Sequence, residues 1–338
     1  MSLEGKVVLI TGGSKGIGRA IALRAAQSGA SIVVNYSSDA GAANEVVAQI
    51  GSDRALAVRA DASSVAEVEA LVQATIVRFG RVDVVIPNAG MMAMHDLEHT
   101  SEAVFDRMYN LNVKGPYFLA QKAVPHMPPG GRIIFVSTGI AHNSAVPPPY
   151  LLYASTKGAV EQMTRLMAKD LARKGITVNC VAPGPTATEL FMEGKPEAMV
   201  KAIAAQSPFN RLGDPADIAD VAAFLAGPES RQGGNAIGVW QSNDWMAQGS
   251  HKADSDGYGL MIKSTYYTSL PGAKRVAHAY WVMHTHVEET SHANILPRHV
   301  LMRKLRWPMY LWLGNVQAPQ WIPIALLHLR PEETSTAL

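Results

Sequence analysis

One cysteine, Cys180, occurs in 338 residues, which excludes an internal disulfide framework and fits a reducing compartment. No stretch approaches the roughly eighteen consecutive apolar residues of a membrane-spanning helix, so no transmembrane segment is expected. The first residues lack the charged and apolar segments of a secretion signal, and the expected location is cytoplasmic. Net charge is only +2, with no basic run beyond Arg303-Lys304-Leu305-Arg306; that balance argues against nucleic acid as a partner. Tryptophan is absent from the first two thirds of the chain: all six (240, 245, 281, 307, 312 and 321) lie beyond residue 230, as do seven of the eleven histidines. No repeat or low-complexity tract appears. With 48% hydrophobic and 17% charged residues, the chain can bury the core of one large domain with an appendage.

The first informative segment is Lys6-Val-Val-Leu-Ile10, an apolar run suited to a strand buried on both faces of a parallel sheet. Thr11-Gly-Gly-Ser-Lys-Gly-Ile-Gly18 follows, then the helix-forming run Arg19–Ala26. Strand, glycine-rich turn and helix form the first half of a dinucleotide-binding unit. Gly12 permits the tight turn. Gly16 and Gly18 let backbone amides and the helix approach a pyrophosphate. The spacing is Gly-x-x-x-Gly-x-Gly rather than the commoner Gly-x-Gly-x-x-Gly.

Apolar runs at 31–35, 55–59, 82–87, 132–137 and 176–182 read as strands two to six. Helical patterns cover 40–50, 65–79, 101–121, 150–174 and 215–225, the last with Asp214 as N-cap and Pro215 as first helical residue. This alternation predicts an α/β fold, a Rossmann-like doubly wound parallel sheet. Near the start of the fourth long helical pattern, Tyr153 and Lys157 stand four residues apart, on one helix face. A phenol has an ordinary pKa of about 10. A fixed ammonium beside it favours the phenolate and brings it within reach of acid–base work.

These motifs resemble the short-chain dehydrogenase/reductase family of Rossmann-fold NAD(P)-dependent oxidoreductases. Thr11–Gly18 matches the cofactor motif, Asn88-Ala89-Gly90 the strand-four motif, Asn112 the mid-chain asparagine and Tyr153/Lys157 the catalytic pair. Pro183-Gly184-Pro185-Thr186-Ala187-Thr188 matches the segment over the nicotinamide. The resemblance spans about residues 3 to 230. It is nearest to fungal reductases of polyketide and related secondary metabolism, and somewhat less near to the ketoacyl-carrier-protein reductases. It implies interconversion of a small-molecule ketone and a secondary alcohol, with a homo-oligomer as a possible assembly. Tyr153 would exchange the proton, Lys157 would lower its pKa and hold the nicotinamide ribose, and Asn112 would relay protons through water. The blander reading of Asn112 is a helix-kink residue. Ser14, Lys15 and Ile17 belong to the cofactor loop. Asp61 would meet the adenine amino group, its plainer role being a loop cap. The family serine after strand five falls on Thr138, with Ser137 one residue earlier; either hydroxyl suits, and Thr138 aligns slightly better. The loop onward to Tyr153 is longer than usual and carries Pro147-Pro148-Pro149.

Charge favours NADP(H) over NAD(H). An acidic residue ending strand two selects NAD, whereas Asn35-Tyr36-Ser37-Ser38 offers no carboxylate there. Lys15 and Arg19 could bring positive charge to a 2′-phosphate. Met91, Met92 and Met94 suit either an adaptable substrate pocket or ordinary core.

Regularity stops near residue 230. Gly234–Val239 reads as a remnant of the family's seventh strand, but Trp240-Gln-Ser-Asn-Asp244 replaces the glycine turn expected next. The domains are therefore placed at 1–239, catalytic, and 240–338, an irregular and poorly ordered extension. Three origins stay open for the extension: a small added domain, a disordered tail, or translated intron or frameshifted sequence. His284, His286, Glu288 and His292 lack a framing element, so no metal site is expected. Asp254–Gly257 reads as a turn, and the proline-broken apolar stretch 305–329 gives little support to a membrane-surface role. Against the reductase stands a second class, an impaired nucleotide-binding or interaction protein, suggested only by the altered end after Arg231.

Overall fold

The computed structural model describes residues 2–142, 146–207, 209–230, 233–234 and 236–239, together with the backbone of four strands beyond residue 257. Two compact units divide the chain, 1–249 and 250–338.

In the first unit strands and helices alternate: β1 (Val7–Ile10), α1 (Gly16–Gln27), β2 (Ser31–Tyr36), α2 (Ala40–Ile50), β3 (Ala55–Arg59), α3 (Val65–Phe79) and β4 (Val84–Ile86). Then come α4 (Glu102–Tyr109), α5 (Gly115–Ala123), β5 (Arg132–Val136), α6 (Leu151–Leu171), β6 (Thr177–Pro183), α7 (Glu189–Met192), α8 (Glu197–Ala204), α9 (Pro215–Ala226) and β7 (Ala236–Val239). The strands of this unit pair in parallel in the order β7-β6-β5-β4-β1-β2-β3. Strand order reverses between β1 and β4, the switch point where a doubly wound sheet opens a crevice beyond its carboxyl ends. The expected Rossmann-like fold is present.

The burial of β1 and β5, without an exposed position in either, explains the unbroken apolar runs Val7–Ile10 and Ile133–Val136. Leu71 of α3, Leu119 of α5, Val160 of α6 and Phe135 of β5 share one core against one sheet face. Each fully buried Leu or Phe contributes about 1.5–3 kcal/mol relative to exposure. Asp214 caps α9 within a full capping box closed by Asp217, as its Asp-Pro start implies. Cys180 is buried in β6, where burial pushes its thiol up to about 12.

Where a single helix is expected over 101–121, a π-helical turn at Asn110–Lys114 joins α4 to α5. At the following connection α5 passes so close to the chain after β3 that a Cβ on Gly115 would lie 2.0 Å from the Ala62 carbonyl oxygen. Among the described residues no helix is long and apolar enough to cross a membrane.

In the second unit β8 (Tyr258–Leu270) pairs antiparallel with β9 (Ala273–Thr285), which pairs with β10 (Tyr310–Trp312), which pairs with β11 (Trp321–Pro323). His286, Glu288, His292, the 254–257 segment and most of 305–329 lie outside the described residues, as does the 240–244 segment.

Candidate active site

The glycine loop leaves β1 at the switch point. Gly12 and Gly16 adopt φ of +61° and +51°, a region that costs other residues steric strain. Gly18 has no such torsion but has no room either: a Cβ there would lie 2.2 Å from the Gly12 carbonyl oxygen. Asn88, after β4, ties the loop down; its amide donates to the carbonyls of Thr11 and Gly12 at 3.0 and 3.1 Å. The backbone N–H groups of Asn88 and Ala89 both donate to the Thr11 hydroxyl. Asn35 supports the loop from β2, accepting from Gly12 N at 3.3 Å and donating to the Ala60 carbonyl at 2.9 Å. Thus Asn35 and Asn88 hold the loop's shape with their side chains.

A dinucleotide fits this loop. The first turn of α1 has no side-chain cap and no acidic residue, whereas Asp39, Ser64 and Asp214 cap α2, α3 and α9. Free amides at a helix start, reached through left-handed glycines, suit a pyrophosphate. Ser14 is buried and Ile17 half-buried beside those amides.

Further out, charge is arranged differently from the expectation. Lys15 pairs with Asp39 at 2.8 Å and Glu189 at 3.4 Å, and both carboxylates raise its pKa, Asp39 more. A carboxylate therefore does stand just beyond β2, one residue past Ser38. The Ala42 amide and the Lys15 ammonium hold Asp39 below its ordinary value. Arg19 donates to Gln49. Tyr36 is half-buried and Ser37 exposed, with the Ser37 carbonyl accepting from Arg59 Nε at 3.2 Å. Asp61 is exposed and forms a turn, accepting from the amide and hydroxyl of Ser63 at 2.8 Å each. Asp39, Glu189 and Arg59 escaped the sequence reading. Only Asp39 carried a signal, as a helix cap before Ala40.

The candidate catalytic pair lies on α6. Tyr153 and Lys157 share a face, with the ammonium 5.7 Å from the centre of the phenol ring. Lys157 is buried and donates to the Val136 carbonyl at 2.8 Å. Burial lowers its pKa to about 8, against a smaller raising effect of Cys180. Tyr153 departs from the expected direction: burial pushes it up to about 12, and a hydrogen bond with the Thr138 hydroxyl opposes this only in part. Desolvation outweighs the neighbouring polar groups, so the phenol keeps its proton throughout the neutral range.

The two candidate hydroxyls separate clearly. Thr138 bonds the Tyr153 phenol. Ser137 points away, donating to Glu161 Oε1 at 2.8 Å. Gly90 lies between the Lys157 ammonium and Asn112, since a Cβ there would be 3.6 Å from Nζ and 3.3 Å from Asn112 Oδ1. The Asn112 amide is committed to Met91 N and O, both at 2.9 Å, and to Thr156 Oγ1 at 3.1 Å. It thereby fixes the start of the Met91–Met94 segment, whose first two methionines are half-buried. At the end of β6, buried Pro183 leads to Gly184, and Thr186 bridges Gly213 while bonding the Gly184 carbonyl at 2.9 Å. Thr188 caps α7 and sits over Gly16, where a Cβ would come within 3.3 Å of its methyl. Among the described residues no group of three or more His, Cys, Asp or Glu is placed to hold a metal.

A switch-point glycine loop together with a helical Tyr/Lys pair and a facing hydroxyl defines a nicotinamide-type oxidoreductase. The family profile described as "Enoyl-(Acyl carrier protein) reductase" matches residues 12–234. The hydroxynaphthalene reductase-like protein Arp2 of Metarhizium robertsii is 42% identical over 243 residues, covering 68% of this chain and 91% of that protein. The short chain dehydrogenase/reductase AacuN of Aspergillus aculeatus is 40% identical, covering 67% and 90%. A short chain dehydrogenase from Burkholderia cenocepacia, solved in complex with NADP, superposes with a TM-score of 0.68 at 33% identity, covering 72% of this chain and 99% of that one. The chain belongs to the short-chain dehydrogenase/reductase family.

Proposed function

We propose that this enzyme is an NADPH-dependent ketoreductase whose substrate is an aromatic polyketide-type ketone, such as the keto tautomer of a hydroxylated naphthalene. The observation that carries the reading is the hydrogen bond between Tyr153, protonated at neutral pH, and the Thr138 hydroxyl, with Lys157 on the same helix face. A bound NADPH would supply the hydride. The amides opening α1 would hold its pyrophosphate, with Gly12, Gly16 and Gly18 clearing the approach; Asn88, Ala89 and Gly90 would border the ribose, and Gly184, Thr186 and Thr188 the nicotinamide.

Tyr153 donates its proton to the carbonyl oxygen as negative charge develops there, and Thr138 donates a second hydrogen bond to the same oxygen. Lys157, charged below about pH 8, stabilises the phenolate left behind. In the oxidative direction the same groups run in reverse. Fungal relatives that carry "hydroxynaphthalene reductase" in their names and the half-buried methionines beyond Gly90 support a flat, apolar substrate. NADP and NADPH in similar solved structures support the cofactor choice, although Asp39 beside Lys15 weakens the charge argument for it. Residues 1–239 form the catalytic domain in this reading, outside which the extension lies.

The test is NADPH consumption by the full-length protein with bicyclic phenolic ketones and simple aliphatic ketones in parallel. Turnover of the bicyclic compounds is expected. Turnover confined to aliphatic ketones would replace the substrate class, and no turnover with any ketone would favour the impaired nucleotide-binding protein.

A further inference from the structure

Two adjacent hydroxyls, Ser137 and Thr138, follow β5, and a rotation of the chain by one residue would exchange them at Tyr153. Something must hold the register. Beneath the site, one turn along α6 from Lys157, lies Glu161, a carboxylate only 3% exposed. Residues 157 and 161 occupy the same helix face, and both are buried. Removing a carboxylate from water costs several kcal/mol in general, so its place here depends on strong hydrogen bonds. One of these comes from Ser137 Oγ at 2.8 Å, a well-formed hydroxyl hydrogen bond. The Ser137 backbone N–H meanwhile donates to Val181 O at 2.7 Å, extending the β5–β6 ladder by one position. Ser137 is thus held at both its backbone and its side chain, and Thr138 is the first hydroxyl left to face the phenol.

We propose that Glu161 is a positioning residue that sets the register of the substrate-facing hydroxyl by holding Ser137 turned away from Tyr153. The inference rests on the reading of Thr138 as the hydroxyl that meets the substrate oxygen. Glu161 touches neither substrate nor cofactor in this scheme; it acts through Ser137. It also answers why a catalytic helix carries a buried carboxylate that the proton transfer does not use.

The test is a set of coupled substitutions assayed with a ketone that the parent reduces, with NADPH affinity by fluorescence as a control for folding. In the parent, Thr138→Ala should lower kcat by about 100-fold or more, the scale of one oxyanion donor. In a Glu161→Met background Ser137 is released and takes over, so the same substitution should cost under about tenfold, a coupling expected only of residues acting together. Adding Ser137→Ala should bring back the full cost. A merely structural carboxylate would not move this ratio. Should Glu161→Met fail to fold, the pair Ser137→Ala/Glu161→Met removes both polar partners at once, the substitution cores tolerate best. That protein should lose about tenfold or more in kcat through looser placement of Thr138, with KM for NADPH unchanged; parent-like kcat overturns the proposal. Equal costs of Thr138→Ala in parent and Glu161→Met backgrounds overturn it too. A harmless Thr138→Ala in the parent instead sinks the reading of Thr138, and the inference with it.

Discussion

The two ends of the proposed cofactor crevice are built on opposite electrical plans. At the chemical end, Lys157 is buried against the Val136 carbonyl and Tyr153 is pushed up to about 12. At the adenosine end, Lys15, Asp39 and Glu189 form an ion-pair cluster in open solvent. Buried groups have few alternatives, so each contact there is expensive to lose. Exposed charges are screened and interchangeable, and each contributes little. Substitutions at the first end should therefore act on rate by orders of magnitude, and at the second on cofactor preference by small factors.

The sharpest test of that contrast is Tyr153→Phe, which should leave NADPH binding nearly intact while kcat falls by about two decades or more, as for loss of a general acid. Fluorescence titration and steady-state rates together decide it; a mutant that turns over like the parent means another group gives the proton. Next, Thr138→Ala should lose about 2.7–4 kcal/mol of transition-state stabilisation and Ser137→Ala much less, measured as kcat/KM. The reverse ranking would shift the register by one.

Lys157 should appear in the pH dependence twice. Its folded pKa, about 8, lies below the ordinary 10.5, so the unfolded chain binds more protons between those values. Stability conferred at this site therefore rises as pH increases from about 8 to 10.5, and the burial penalty is full below 8. The Tm of Lys157→Met, relative to the parent, should be most favourable near pH 7 and decline across that window. Its residual reductase activity should also lose the parent's alkaline fall near pH 8. A constant Tm difference would mean that folding does not depress the Lys157 pKa, and that its ammonium is not desolvated in the folded protein.

Smaller effects belong to the exposed end. Tyr36→Asp should shift the ratio of kcat/KM for the two cofactors towards NAD, and Asp39→Asn should shift it slightly towards NADP by removing the nearer of the two carboxylates paired with Lys15. A parent that already prefers NAD defeats the cofactor proposal. The smallest change is expected from ending the chain after residue 245, which should leave NADPH affinity as it was, because every proposed cofactor motif ends by Thr188. Loss of binding on truncation would make the extension part of the folded enzyme.

Legibility in sequence followed the range of the interactions. The strands of the sheet core were readable because both-face burial requires uninterrupted apolar residues. β3 has the expected bounds at Ala55–Arg59. β4 is three residues long rather than six, since a strand's extent depends on where its partners end. The short helices α7 and α8 had no expectation, being too brief for a periodic pattern. The Tyr153/Lys157 pair was visible because four-residue spacing is local. Its electrostatics were not, because desolvation is set by the surrounding fold. Nor could local spacing reveal Glu161 behind Ser137 or Asp39 and Glu189 on Lys15, partners up to 174 positions away (15 to 189).

The π-helical turn at Asn110–Lys114 works as a phase shifter. One residue inserted into an α-helix turns everything after it by about 100°, because a turn holds 3.6 residues. The exposed ring stack of Phe105 on Tyr109 and the buried face of Leu119, Ala120 and Ala123 therefore obey two separate helical clocks. A helical wheel drawn through both would mix them. Deleting one residue within the turn would make the helix regular, yet it would rotate the core-facing side of α5 out of the sheet. The irregularity is what lets one continuous rod serve two surfaces that are out of step.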